Sequence, residues 1–345
     1  MSLNVSNQTA YTQDIMVLPP NSFLGGEDKI IGDIHGNLSC LRSVLASIGE
    51  HDRLFMVGDL IDRGEQSGAI IPAISLFQQH HPSQIYTVKG NHELMCMRAI
   101  NELEAMVSYF TEETDWDVNT EFDQSFIDTW IYDFMNRDMQ TLESLYPDTD
   151  VYDLRLYITN GGAWLIYLFR HEVEQELIAI DENGKVIYRE ESSLLQIKKF
   201  IESLPYIIHI PGPSGFNIVH ADMPLSDQEL NTKISLNDFT LTSEQREYAV
   251  WAREDDSILF RDNGRDKHST RTFVGHSIVA FGHSSVIRKT NTINLDIATF
   301  RSDMCLIVNQ RAGTCELQGP GMERIYKYPA LQSAFEELSL YLQKH

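Results

Sequence analysis

At 345 residues, 42% of them hydrophobic, the chain carries enough apolar surface to bury a sizeable core in one large domain with additions, which excludes a disordered protein. A net charge of −23 argues against nucleic-acid partners, because displacing counterions from a phosphate backbone takes clustered basic side chains. The longest strongly apolar stretch, Ala163–Phe169, is far too short to cross a bilayer, so no membrane association is expected.

Residues 1–25, with Pro19-Pro20 and scattered Asn, Ser and Thr, read as an extended leader. Polar Asn4, Asn7, Gln8 and Thr9 stand where a signal peptide needs a basic start and an apolar centre. The main domain then runs over residues 26–320. Its first half alternates apolar runs with helical periodicity. Lys29–Ile31, Leu54–Val57 and Ile85–Val88 read as successive parallel strands. Between the first two, Leu38, Leu41, Leu45 and Ile48 recur at helical spacing behind Asn37 as cap, and Gly68–His80 and Glu93–Ile100 read as the next helices. Residues 101–155 break the pattern, with 15 Asp and Glu against Arg137 and Arg155 alone. Leu103, Met106, Val107 and Phe110 make one amphipathic stripe, and Phe126, Ile127, Trp130, Ile131 and Phe134 another. This segment is expected to be an acidic helical insertion that caps the rim of the main domain. Trp164–Arg170 and Leu177–Tyr188 read as strands, with a hairpin turn at Asp181-Glu182-Asn183-Gly184, and Leu194–Ser203 as a helix. From Ile207 to Asn309 strands and polar loops alternate as a second sheet, including Phe216–Val219 and Ile278–Phe281. Residues 321–345 read as a C-terminal amphipathic helix, with Leu331, Phe335, Leu338 and Leu342 on one face.

Five motifs end apolar runs. The first three are Gly32-Asp33-Ile34-His35-Gly36, Gly58-Asp59-Leu60-Ile61-Asp62-Arg63-Gly64 and Gly90-Asn91-His92-Glu93. His220-Ala221-Asp222 and Gly282-His283-Ser284 follow in the second half. Any one of these is ordinary turn chemistry. Together they gather carboxylate, amide and imidazole groups at strand ends, as a pair of divalent cations requires.

With Trp251-Ala252-Arg253-Glu254, these residues resemble the phosphoprotein phosphatase family of metallophosphoesterases, most closely its bacterial and phage branch. Asn160-Gly161-Gly162-Ala163-Trp164 and Ser203-Leu204-Pro205 resemble further stretches of that branch, so the likeness runs from about Lys29 to Asn309. The resemblance implies an α/β fold, the calcineurin-like sandwich of two mixed β-sheets flanked by helices. It implies two divalent metal ions, with Mn²⁺ expected and iron or zinc as alternatives. Asp33, His35 and Asp59 would hold the first ion, and Asp59, Asn91, His220 and His283 the second. It gives His92 the role of general acid, kept protonated by Asp62, while Arg63, Arg253 and Asn91 meet the substrate phosphate. A hydroxide bridging the two metals would attack phosphorus directly, without a phosphoenzyme. Gly275-His276-Ser277 duplicates the last motif, but His283 is favoured as the ligand because the run Ile278–Phe281 precedes it.

The function expected is a phosphomonoesterase acting on phosphoproteins, at Ser/Thr or at Tyr. Dinucleoside polyphosphate hydrolysis and a catalytically silent binding module of the same fold are the alternatives. The first is disfavoured by the acidic cap, the second by the filled ligand positions. Cys40, Cys96, Cys305 and Cys315 are widely spaced with no Cys-x-x-Cys pair, so neither a disulfide framework nor a thiolate zinc site is expected. A reducing, cytoplasmic setting follows, although the acidic balance also resembles secreted bacterial effector phosphatases of the Wip type. The sequence leaves the oligomeric state open.

Overall fold

The computed structural model describes residues 13–107, 124–147, 149–181, 185–253, 270–277, 287–289, 292–302, 304–319 and 322–327. Two six-stranded mixed sheets lie face to face. In one, β2 (Asp28–Ile31), β3 (Arg53–Met56) and β4 (Ile85–Thr87) are parallel neighbours. β12 (Cys305–Asn309), β13 (Thr314–Gly319) and β14 (Met322–Lys327) extend that sheet antiparallel from β2. In the other, β1 (Ile15–Val17), β7 (Ile207–Ile210), β8 (Phe216–Val219), β9 (Arg271–Val274), β11 (Thr292–Asn294) and β10 (Ile287–Lys289) are adjacent in that order. Strands β8, β9 and β11 run parallel. A separate antiparallel pair joins β5 (Ile178–Ile180) to β6 (Val186–Tyr188).

The central strands β7, β8, β11 and β12 are buried on both faces, and such strands read as largely apolar runs. Ile30, Phe55, Val57 and Val88 of one sheet meet Ile208, Phe216, Ile218 and Phe273 of the other. Helices close the outer faces. Leu38, Leu41 and Val44 of helix Leu38–Ala46 and Ile70, Ile71 and Ile74 of helix Ser67–His80 cover the first sheet. Leu230, Ala249 and Val250 of helices Asp227–Ser235 and Ser243–Trp251 cover the second. Each of the latter two begins with a capping box, Ser226 with Glu229 and Thr242 with Gln245.

The inserted region forms helices Gln124–Asn136, Met139–Leu145 and Val151–Tyr157 within the described residues. Ile127, Phe134, Leu142, Val151 and Leu154 are buried in the same core as Leu103 of helix Asn91–Ala105, so the insertion shares the core of the main domain.

Four expectations are corrected. Residues 1–25 are not simply a leader, because Ile15–Val17 is an edge strand parallel to Ile207–His209. Ala163–Glu174 is a helix rather than a strand from Trp164 to Arg170; a short apolar run buried on several sides has no periodicity to separate the two. Met322–Lys327, inside the expected C-terminal helix, is a strand, and residues 328–345 lie outside the described ones. Cys40 and Cys305 are disulfide-bonded, with Cα atoms 6.1 Å apart although 265 residues separate them. Spacing along the chain cannot reveal such a pair. Cys96 and Cys315 are free and buried. Among the described residues no helix is long and apolar enough to cross a membrane.

Candidate metal centre

The C-terminal ends of β2, β3 and β4 in one sheet, and of β8 and β9 in the other, converge on a single point. Open parallel sheets place ligand sites at such strand ends. Asp33 follows β2, Asp59 follows β3, and Asn91 and His92 begin the helix after β4. His220 follows β8 and His276 follows β9.

Asp59 is the shared member. Its Oδ2 lies 3.6 Å from His35 Nε2 and 3.8 Å from His92 Nε2, and its Oδ1 lies 3.4 Å from His220 Nε2. Two clusters able to hold a metal ion result, His35–Asp59–His92 and Asp59–His220–His276. Asn91 Oδ1 sits 2.9 Å from both His220 Nε2 and His276 Nδ1. Asp33 Oδ2 is 4.0 Å from His35 Nε2, and its Oδ1 is buried with no hydrogen-bond partner among the described residues.

Two imidazoles are already turned as ligands. His35 Nδ1–H donates to the Ile61 carbonyl at 3.0 Å and His220 Nδ1–H to the Val57 carbonyl at 2.8 Å. Each bond fixes the tautomer and leaves Nε2 facing Asp59, the usual arrangement around a metal-bound histidine. The donor set, an orphaned carboxylate oxygen included, fits divalent cations. Its mixture of oxygen and imidazole does not choose among manganese, iron and zinc.

The placement of the last histidine departs from expectation. His276 occupies the position opposite Asn91 and His220, because the strand ahead of it is Arg271–Val274, paired in parallel with β8. The residue given that role from sequence, His283, lies outside the described residues, as does the run Ile278–Phe281.

His92 and Asp62 form a buried pair. His92 Nδ1–H donates to Asp62 Oδ2 at 2.8 Å, leaving Nε2 on the cleft side, 3.1 Å from Arg63 Nη2. The exposed Arg63 side chain lies with its guanidinium carbon 5.2 Å from the Phe300 ring centroid, and its Nη1 is 2.9 Å from His35 Nε2. Arg253 is exposed, two residues beyond Trp251, whose indole meets the His276 ring edge-on at 6.0 Å.

Residues 29–286 match the family model of the calcineurin-like phosphoesterases. The chain belongs to this family. Among curated relatives, it is 36% identical over 66 residues to the serine/threonine-protein phosphatase 4 catalytic subunit of Kluyveromyces lactis, a match covering 19% of this chain and 21% of that one. It is 30% identical over 80 residues to the zinc-dependent endopolyphosphatase of Saccharomyces cerevisiae, covering 22% and 23%. The chain thus spans under a quarter of the length of these relatives. A solved protein serine/threonine phosphatase from Saccharomyces cerevisiae superposes over 91% of this chain and 84% of its own, with a TM-score of 0.45 and 12% identity.

Electrostatics in this phosphoesterase centre follow from burial and crowding. Burial and the neighbouring Asp296 push Asp33 well above the usual carboxylate range. Asp59 is equally buried, yet the His220, His92 and His35 imidazoles outweigh that cost and hold it well below. Burial, with the charges of His92 and Arg63, keeps His35 neutral, as a ligand must be. Burial also opposes charge on His92, but Asp59 and the hydrogen bond that His92 donates to Asp62 prevail and its pKa is raised. That shift suits a proton donor near neutral pH.

Four residues at the centre went unassigned from sequence. Glu93 accepts backbone N–H from Asp59, Leu60 and Gly90 at 2.8–2.9 Å, tying the second metal turn to the third. It stood within the third motif without a role. Asp296, buried with Oδ2 lacking a partner among the described residues, interacts electrostatically with Asp33 and Asp59. Tyr157 and Trp164 reach Asp62. Trp164 stood in the Asn160–Trp164 stretch without a role, and no short-range pattern announced Tyr157 or assigned Asp296 a part.

Proposed function

We propose that this phosphoesterase hydrolyses phosphate monoesters on proteins, with Asp33, His35 and Asp59 holding one divalent cation and Asp59, Asn91, His220 and His276 a second. The reading rests on one observation: a single buried carboxylate, Asp59, faces both ligand clusters while the His92–Asp62 pair stands beside them. Two cations, when bound, neutralise phosphate charge and lower the pKa of water.

The remaining chemistry belongs to the chain. Arg63 and Arg253 offer planar forks to phosphate oxygens, a geometry lysine cannot reproduce. His92 gives its Nε2 proton to the leaving oxygen as water attacks phosphorus, and Asp62 steadies the imidazolium before transfer. No side chain becomes phosphorylated, and Cys96, fully buried with its thiol pushed up by burial, is no nucleophile.

A protein substrate is favoured over a dinucleoside polyphosphate by charge. The insertion carries 15 acidic residues against two arginines, and its last helix, Val151–Tyr157, ends on Asp62 beside the cleft. Such a flank disfavours polyanions and favours basic phosphopeptides. That preference fades with added salt, since exposed charges act over ~8 Å at physiological ionic strength.

The test is turnover of p-nitrophenyl phosphate, a phosphopeptide panel and diadenosine tetraphosphate by protein stripped with chelator and reloaded with Mn²⁺. Metal-dependent phosphopeptide hydrolysis is expected. Chelator-resistant activity would remove the two-metal reading, and activity confined to the dinucleotide would replace the substrate class.

A further inference from the structure

Asp62 has a second and a third side-chain partner that the His92 pairing does not explain. While Oδ2 accepts from His92, Oδ1 accepts from the Tyr157 hydroxyl at 2.8 Å and from the Trp164 indole N–H at 2.7 Å. Asp62 and Tyr157 are fully buried and Trp164 half-buried. A carboxylate on a terminal sp² torsion turns easily unless both of its oxygens are engaged. Two donors on Oδ1 fix the plane of the group and so fix where Oδ2 stands.

Both donors come from one segment. Tyr157 ends the last helix of the insertion, the chain kinks at Gly161 within Ile158–Gly162, and Trp164 lies in the first turn of the next helix. The kink brings the chain against the second metal loop. Gly161, at φ 95, accepts from Arg63 N–H at 3.4 Å, and a Cβ there would stand 2.6 Å from the Arg63 nitrogen. The segment therefore grips the side chain of Asp62 and the backbone of Arg63 together.

We infer that Tyr157 and Trp164 are positioning residues for proton delivery: they hold Asp62 so that its Oδ2 keeps the Nδ1–H tautomer of His92 and aims Nε2 at the leaving oxygen. Seating of helix Val151–Tyr157 is thereby coupled to the general acid. This rests on the reading of His92 as that acid. Outer partners of functional histidines are worth about 10–100-fold in activity, and the same range applies here.

The experiment measures kcat, KM and metal content for Tyr157→Phe, Trp164→Phe and His92→Asn, and for each of the first two combined with His92→Asn. Substrates are aryl phosphates of rising leaving-group pKa together with an alkyl phosphate. Tyr157→Phe and Trp164→Phe should each keep their metal and KM. They should lose about tenfold or more on the alkyl ester and little on the most activated aryl ester, and cost nothing further once His92 is gone. A uniform loss across the series, or a full additional loss on top of His92→Asn, overturns the inference. If His92→Asn is itself insensitive to the leaving group, the reading of the acid has failed first. Should Tyr157→Phe not fold, Trp164→Phe carries the same comparison from a half-buried position.

Discussion

Replacing Gly275 with alanine should empty the first metal position without unfolding the protein. A Cβ at Gly275 would lie 1.8 Å from Asp33 Oδ1 and 2.8 Å from Val57 Cγ2, where contacts below 3.0 Å are not tolerated. The carboxylate oxygen must therefore retreat by at least 1.2 Å. It cannot simply rotate away, because Asp33 Oδ2 holds the His276 backbone N–H at 3.0 Å. Ligand distances tolerate shifts of only about 0.2 Å, so the displacement is several times what coordination allows. Overpacking of this size costs ~1–3 kcal/mol, less than the stability of an ordinary domain. Misplacement by about 1 Å near the reacting atoms costs ~10²-fold in rate. Function should fail before folding does. The assay combines elemental analysis, thermal melting with and without Mn²⁺, and p-nitrophenyl phosphate turnover. Gly68→Ala is the control, since its Cβ would meet Trp164 at an ordinary 3.5 Å inside helix Ser67–His80, and removing a helical glycine gains ~0.5–1 kcal/mol. A Gly275→Ala protein with two tightly held metals and native turnover would refute the reasoning.

Glu93→Gln should destabilise the fold by about 1–3 kcal/mol in urea titration, because an amide N–H₂ would face one of the backbone donors at Asp59, Leu60 or Gly90. Unchanged midpoints would show that the clamp is dispensable. Asp296→Asn should stabilise the metal-free protein while weakening its response to Mn²⁺. Burial raises this carboxyl from 3.8 to about 6, so its contribution is fully present at low pH and is lost as pH rises through that window. Melting of wild type minus variant in chelator should therefore fall between about pH 4 and 6, and a flat difference would contradict it. His276→Ala should lose one metal equivalent by elemental analysis, whereas His283→Ala should keep both; the reverse order would restore His283 as the ligand. Metal uptake at pH 7 should release a proton, because Asp59 lifts His220 to about 10 despite its burial and coordination requires the neutral ring. Calorimetry in buffers of differing ionisation enthalpy reads that release, and buffer-independent heats would refute it.

What the sequence made legible was local. Asp33, Asp59 and Asn91 could be placed because each follows its own strand within two to four residues, and the glycines beside them mark where the chain turns. His220 follows Phe216–Val219 in the same way. Of the twin motifs at His276 and His283, the first follows a strand that pairs with β8, and pairing is a tertiary fact. Ile15–Val17 is three residues long and becomes a strand only through β7, so composition made it a leader. Tyr157 and Asp62 are 95 residues apart, and Glu172, which caps helix Ser193–Ser203 through Ser193 N–H at 2.7 Å, acts across 21. Such side-chain contacts leave no periodic trace.

The backbone of the centre explains why its residues come as a set. His35, Asp59, Asp62, Arg63 and His276 all adopt left-handed φ, between 45° and 69°, and for residues other than glycine each such turn costs ~1–2 kcal/mol. Strain of this kind persists only where neighbours over-determine it. Here the turns hold one another. Ile34 and His35 N–H both donate to the Asp59 carbonyl, at 3.1 and 2.9 Å, and Gly36 N–H donates to Leu60 at 2.9 Å. Glu93 then ties Asp59 and Leu60 to Gly90. These bonds are made by backbone and one buried carboxylate, so the turns are set largely by the chain itself, with Asp33 and Asp59 adding the His276 and His92 N–H bonds at 3.0 Å. Cations bound by these clusters would then need little rearrangement, and their coordination energy would go into affinity rather than into building the site.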